Sequence, residues 1–104
     1  MSELMNKHKR NLKNLAICSS SRALRLIQKS DDNFVLAILD AVWTTLDEKV
    51  KLSPTQRKQI QRVQPVLGRF ASRGQSVDER RRVLATKKGV HAIQTVFNVL
   101  QTHF

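Results

Sequence analysis

Between Val35 and Leu46 the chain places Val35, Ile38, Leu39, Val42 and Leu46 at three- and four-residue intervals, with Leu36, Trp43 and Val50 widening the stripe. That spacing keeps every one of them on one side of a helix of 3.6 residues per turn. No stretch alternates apolar and polar residues as a half-buried strand would, and only three glycines and two prolines interrupt 104 residues. The expected fold is therefore all-α. It should be a compact bundle of five or six short helices in one domain, because a chain this long supports one modest core.

In order along the chain, residues 1–30 read as basic N-terminal helices. From Ser2 to about Ile17, Leu4, Met5, Leu12, Leu15 and Ala16 face one way while Lys7, Arg10 and Lys13 face the other. The serines of Cys18-Ser19-Ser20-Ser21 can cap a second helix bearing Leu24, Leu26 and Ile27, although one continuous helix to Lys29 fits the same pattern. Ser30 or Asp31 caps the central apolar helix of residues 31–51, which runs from about Asp32 to Val50 with acids in its first turn, where the helix dipole favours them.

Residues 52–89 form a basic helical hairpin. Ser53-Pro54-Thr55-Gln56 is a capping box with proline at the first helical position. It opens a helix to about Ser72 with Ile60, Val63, Leu67, Phe70 and Ala71 on one face, and Pro65 inside it predicts a kink near Gln64. Arg73-Gly74-Gln75 predicts a tight turn. Ser76-Val77-Asp78-Glu79 is a second capping box, and its helix should end near Lys88-Gly89 with glycine as the C-terminal cap. Residues 90–104 carry no Lys, Arg, Asp or Glu. Val90, Ile93, Val96, Phe97, Leu100 and Phe104 share a face that either closes the core or docks on a partner.

Charge is the main functional signal. The formal net charge is +11, a field that attracts polyanions without saying anything about fold. It divides as +6 over residues 1–30, −3 over 31–52 and +8 over 53–104. Leu52 to Gly89 holds ten of the nineteen Lys and Arg residues against two of the eight acids. Lys58, Arg62, Arg69 and Arg73, followed by Arg80, Arg81, Arg82, Lys87 and Lys88, are the candidate phosphate-binding residues, since cations so spaced can displace several counterions from a nucleic-acid backbone. DNA is favoured over RNA, and bases have little to stack on, for there is no tyrosine and the few aromatics fall in apolar stripes.

Two alternatives stand beside it. Val90, Ile93, Phe97, Leu100 and Phe104 could instead pair two chains or dock on a larger protein. The hairpin could also act as a helix-turn-helix with its second helix in the major groove, although Arg80, Arg81 and Arg82 radiate around that helix.

Catalytic residues, cofactors and metal ligands are not expected. His8, His91 and His103 are far apart with no motif around them, and Cys18 is the only cysteine, so neither an internal disulfide nor a zinc ligand set can be assembled. With no apolar run of the roughly 20 residues a membrane span needs and no signal peptide, the expected location is intracellular, nuclear or virion-associated, and not secreted.

Leu52-Ser53-Pro54-Thr55-Gln56-Arg57-Lys58, a basic helix, the run Arg80-Arg81-Arg82-Val83-Leu84-Ala85-Thr86-Lys87-Lys88-Gly89 and a charge-free apolar tail together resemble a small basic protein of Polinton transposons and adintoviruses. In those proteins a capped basic helix leads to a K/R-R-x-L-L-x-x-K/R-G-G run and a hydrophobic end similar to that of the adenovirus core protein X precursor. The likeness covers about residues 24 to 100 and is best over 52 to 89; Val90 stands where that family has its second glycine. It implies a virus-like or transposon-derived protein packaged with a genome to condense it. Arg57, Lys58, Arg80, Arg81, Arg82, Lys87 and Lys88 are the basic residues it carries over.

Overall fold

In a computed structural model, which describes residues 3–47 and 51–100, helices account for most of the chain. Seven lie among the described residues: α1 (Glu3–Lys7), α2 (Lys9–Ile17), α3 (Ser20–Lys29), α4 (Asp32–Leu46), α5 (Pro54–Ala71), α6 (Val77–Leu84) and α7 (Lys87–Leu100). The all-α expectation holds, with more helices than the five or six foreseen because the first one breaks. His8 leaves helical geometry at φ −103° and ψ 11°, and its ring meets Phe34 edge-on with centroids 5.8 Å apart.

Each later helix start rests on a local side-chain cap. Ser19 accepts from the Arg22 N–H at 3.3 Å, which makes α3 a separate helix. Asp31, rather than Ser30, accepts from Phe34 at 2.9 Å. Ser53 and Gln56 exchange both bonds of the capping box, and Ser76 accepts from Glu79 at 3.2 Å. Such caps satisfy N–H groups that have no partner inside the helix. In α5 the helix continues through Pro65, which is exposed. Gly74 turns the chain at φ +84°, a conformation that costs a residue with a Cβ about 1–2 kcal/mol.

The join of α6 and α7 differs from expectation. α6 ends at Leu84, and Thr86 takes the capping role for α7: its hydroxyl accepts from the Gly89 N–H at 2.9 Å and donates to the Val83 carbonyl at 3.0 Å. Gly89 therefore does not cap α6; it sits in the first turn of α7. A Cβ there would lie 2.2 Å from the Val83 carbonyl oxygen and 2.8 Å from the Leu84 Cα, so glycine is what lets the two helices meet this closely.

α7 is the core helix. It packs against α2, α3, α4, α5 and α6, and Val90, Ile93, Val96, Phe97 and Leu100 are all buried. Val35, Ile38, Leu39 and Val42 of α4 and Ile60, Val63, Leu67 and Phe70 of α5 complete one continuous apolar cluster with Met5, Leu12, Leu15 and Ile27. The Cα radius of gyration, 12.3 Å, is what a single domain of about 100 residues has. Expectations placed on Val50, His103 and Phe104 lie outside the described residues.

Candidate nucleic-acid interface

The apolar face of α5 turns Lys58, Arg62 and Arg69 to the opposite side, where all three are exposed, and Arg73 follows exposed in the turn. Arg82, at the end of α6, and Lys87 and Lys88, in the first turn of α7, are exposed as well. Among the described residues none of these seven cations takes part in an ion pair. Arg57, which the family likeness adds, is exposed at the start of α5.

A shallow groove of about 250 Å³ joins the outer sides of α5 and α7. Gln59, Arg62 and Val63 form one wall; His91, Thr95 and Asn98 form the other. Arg62 thus belongs both to the α5 row and to the groove, which links the row to the exposed strip of α7. No acid lines it. Sequence reasoning missed Gln59, His91, Thr95 and Asn98 as members of this surface. For the last three the signal was the polar strip of α7, legible as a helix face but silent about which neighbour it would adjoin.

Arg80 and Arg81 are not part of that face. Arg80 is only 7% exposed, and its Nη1 donates to the Phe70 carbonyl at 2.5 Å. Arg81 donates through Nη2 to Asp32 at 2.9 Å and to the Ser30 carbonyl at 3.2 Å, and through Nη1 to Asp78 at 3.1 Å. Both guanidinium groups thus close helix ends, where unpaired carbonyls carry the negative pole of the helix dipole. They are corrections to the expected phosphate-binding set. Burial of Arg80 is tolerable because a charge-assisted hydrogen bond replaces water at that nitrogen.

The same use of side chains recurs at the end of α5 and at the end of α2. Trp43 Nε1 donates to Ala71 O at 3.2 Å, and Gln94 Nε2 donates to Leu15 O at 3.2 Å and Cys18 O at 2.9 Å. α6 is left with Arg82 as its one exposed arginine, which removes the basic face that a recognition helix in a helix-turn-helix would present.

The proposed docking face of the C-terminal helix is corrected too. Val90 is 2% exposed, and Ile93, Phe97 and Leu100 have no exposure at all, so over the described residues this face closes the core and is not available to a second chain. No three His, Cys, Asp or Glu side chains gather as a metal site among the described residues, and no described helix is long and apolar enough to cross a membrane. Compared with known proteins, the chain matches no family model, no curated protein and no solved structure.

Proposed function

We propose that this chain binds nucleic acid, DNA in preference to RNA, through phosphate contacts made by the α5–α7 face, without strong sequence preference. The observation that carries this is the set of seven exposed cations, Lys58, Arg62, Arg69, Arg73, Arg82, Lys87 and Lys88, without an ion-pair partner among the described residues. Lys58 to Arg69 spans eleven residues, about 16 Å of helix at 1.5 Å each. A duplex carries one negative charge per about 1.7 Å of its axis, so that row alone lies over several phosphates.

Lys87 and Lys88 add a second argument. They stand in the first turn of α7, where the dipole penalises a cation by a few tenths of a kcal/mol or more. Folding gains nothing from them there, whereas a bound polyanion would. Base reading has little to work with: Phe34, Phe70 and Phe97 are buried, and Trp43, 38% exposed, is tied through its ring N–H to the Ala71 carbonyl, so among the described residues no row of aromatic rings offers a stacking platform. Together with the likeness to small basic proteins of viruses and transposons, this favours condensation of a genome, in the nucleus or the virion, over regulation at a chosen site.

The test is the quadruple variant K58A/R62A/R69A/R73A against several unrelated duplexes. Affinity should fall about tenfold or more, and by a similar factor for each sequence, since phosphates position a protein but carry no sequence information directly. Unchanged affinity removes these residues from the interface, and a loss confined to one sequence contradicts phosphate-only binding.

A further inference from the structure

A larger groove, of about 690 Å³, lies between α2 and α3 and is closed at one end by the start of α4. The chain reverses at Cys18 and Ser19, so the two helices form facing walls. Asn11, Asn14 and Cys18 line one wall at i, i+3 and i+7; Arg22, Arg25 and Lys29 line the other at the same spacing. Each row covers about two helical turns, or about 10 Å. Ile17 and Leu26 supply the exposed apolar surface, and the buried Phe34 lies beneath it at the closed end.

One feature sets this groove apart from a solvated basic surface. Of the three large hydrophobic side chains exposed among the described residues, Ile17 and Leu26 line it, at 73% and 37% exposure. Exposed apolar groups gathered at a concave, charge-rimmed site mark an interaction surface rather than scatter. The rim is basic, which sets the charge a partner must carry. Arg22, Arg25 and Lys29 have no ion-pair partner among the described residues, while Asp31, the sole acid of the lining, is committed to capping α4 through Phe34. His8 Nε2 is buried at the groove without a hydrogen-bond partner.

Duplex DNA has no use for the apolar component. A partner helix with apolar residues at i, i+3 or i+4, and i+7 uses all of it. We infer that the α2–α3 groove docks an acidic amphipathic helix of a partner protein, with its apolar stripe over Ile17 and Leu26 and its acids facing Arg22, Arg25 and Lys29. The site is separate from the α5–α7 groove: the two share no lining residue, and α2 and α3 make no substantial contact with α5. It does not depend on the nucleic-acid reading.

The probe is a lactam-stapled 14-residue helix carrying Leu at i, i+3 and i+7 and Glu along one flank, compared with a scrambled peptide of identical composition. The full chain should bind the amphipathic peptide about tenfold or more tighter than the scrambled one by fluorescence anisotropy. R22E/R25E/K29E and I17S/L26S should each abolish that preference, and K58A/R62A/R69A/R73A should leave it intact. All five groove residues in those variants are exposed, so the fold should survive both substitutions, as circular dichroism will check. In the unmodified chain, alkylation of Cys18 by iodoacetamide should slow with the amphipathic peptide and not with the scrambled one. Equal binding of the two peptides, a preference that persists in both groove variants, or equal protection of Cys18 by random duplex DNA would overturn the inference.

Discussion

Two glycines in helices show how differently a single side chain is judged by its surroundings. Gly68 is exposed within α5, and a Cβ there would meet nothing within 4 Å. Gly89 would put its Cβ 2.2 Å from backbone. Gly68→Ala should therefore stabilise by about 0.5–1 kcal/mol, the ordinary helix-interior gain. Gly89→Ala should cost at least the 1–3 kcal/mol typical of overpacking, because backbone cannot swing aside. Thermal midpoints moving in opposite directions would check both. Three adjacent arginines make a similar point. Arg80→Met keeps an apolar stem but leaves the Phe70 carbonyl without its donor, at a cost of about 1–3 kcal/mol. DNA affinity of the folded fraction should stay within a factor of about 2, because that charge does not face the partner. Denaturant titration and duplex binding on one preparation will separate the two effects. Nothing in the sequence distinguishes Arg80 from Arg82, since the carbonyl that claims Arg80 lies ten residues back and is reached only in the folded chain.

At the level of helices, what was legible was what is local. The starts at Ser53 and Ser76 could be read directly, and those at Ser19 and Asp31 were among the options, because each cap accepts from an N–H three residues on. The break at His8 could not be read, since its neighbour is Phe34 of another helix. Nor could the cap at Thr86, where Lys88-Gly89 imitates a helix end. Periodicity showed that Val90 to Leu100 has an apolar face, but not what would cover it; only packing shows α7 at the centre of the core. Truncation after Gly89 should consequently leave Leu67, Phe70 and the α4 stripe without their cover. A chain ending there should lose cooperative unfolding and aggregate, as followed by circular dichroism and light scattering. A soluble, cooperatively folded product would contradict α7 as a core helix.

For the whole molecule, the charge imbalance was plain from composition, and its arrangement was partly so. The α5 row was readable because one helix sets its geometry. Its continuation across Arg62 to His91 and Asn98 was not, because it depends on which helix lies beside α5. The central claim is that cations of the α5–α7 face bind phosphates, and the most direct measurement is the salt dependence of binding to random duplex DNA. The logarithm of the binding constant should fall linearly with the logarithm of salt concentration, with a slope of about −0.9 per neutralised phosphate. With the seven exposed cations engaged the slope would be about −6; for K58A/R62A/R69A/R73A it should be shallower by about 3 to 4. A slope near zero, or one equally steep in the chain and its variant, would contradict the account.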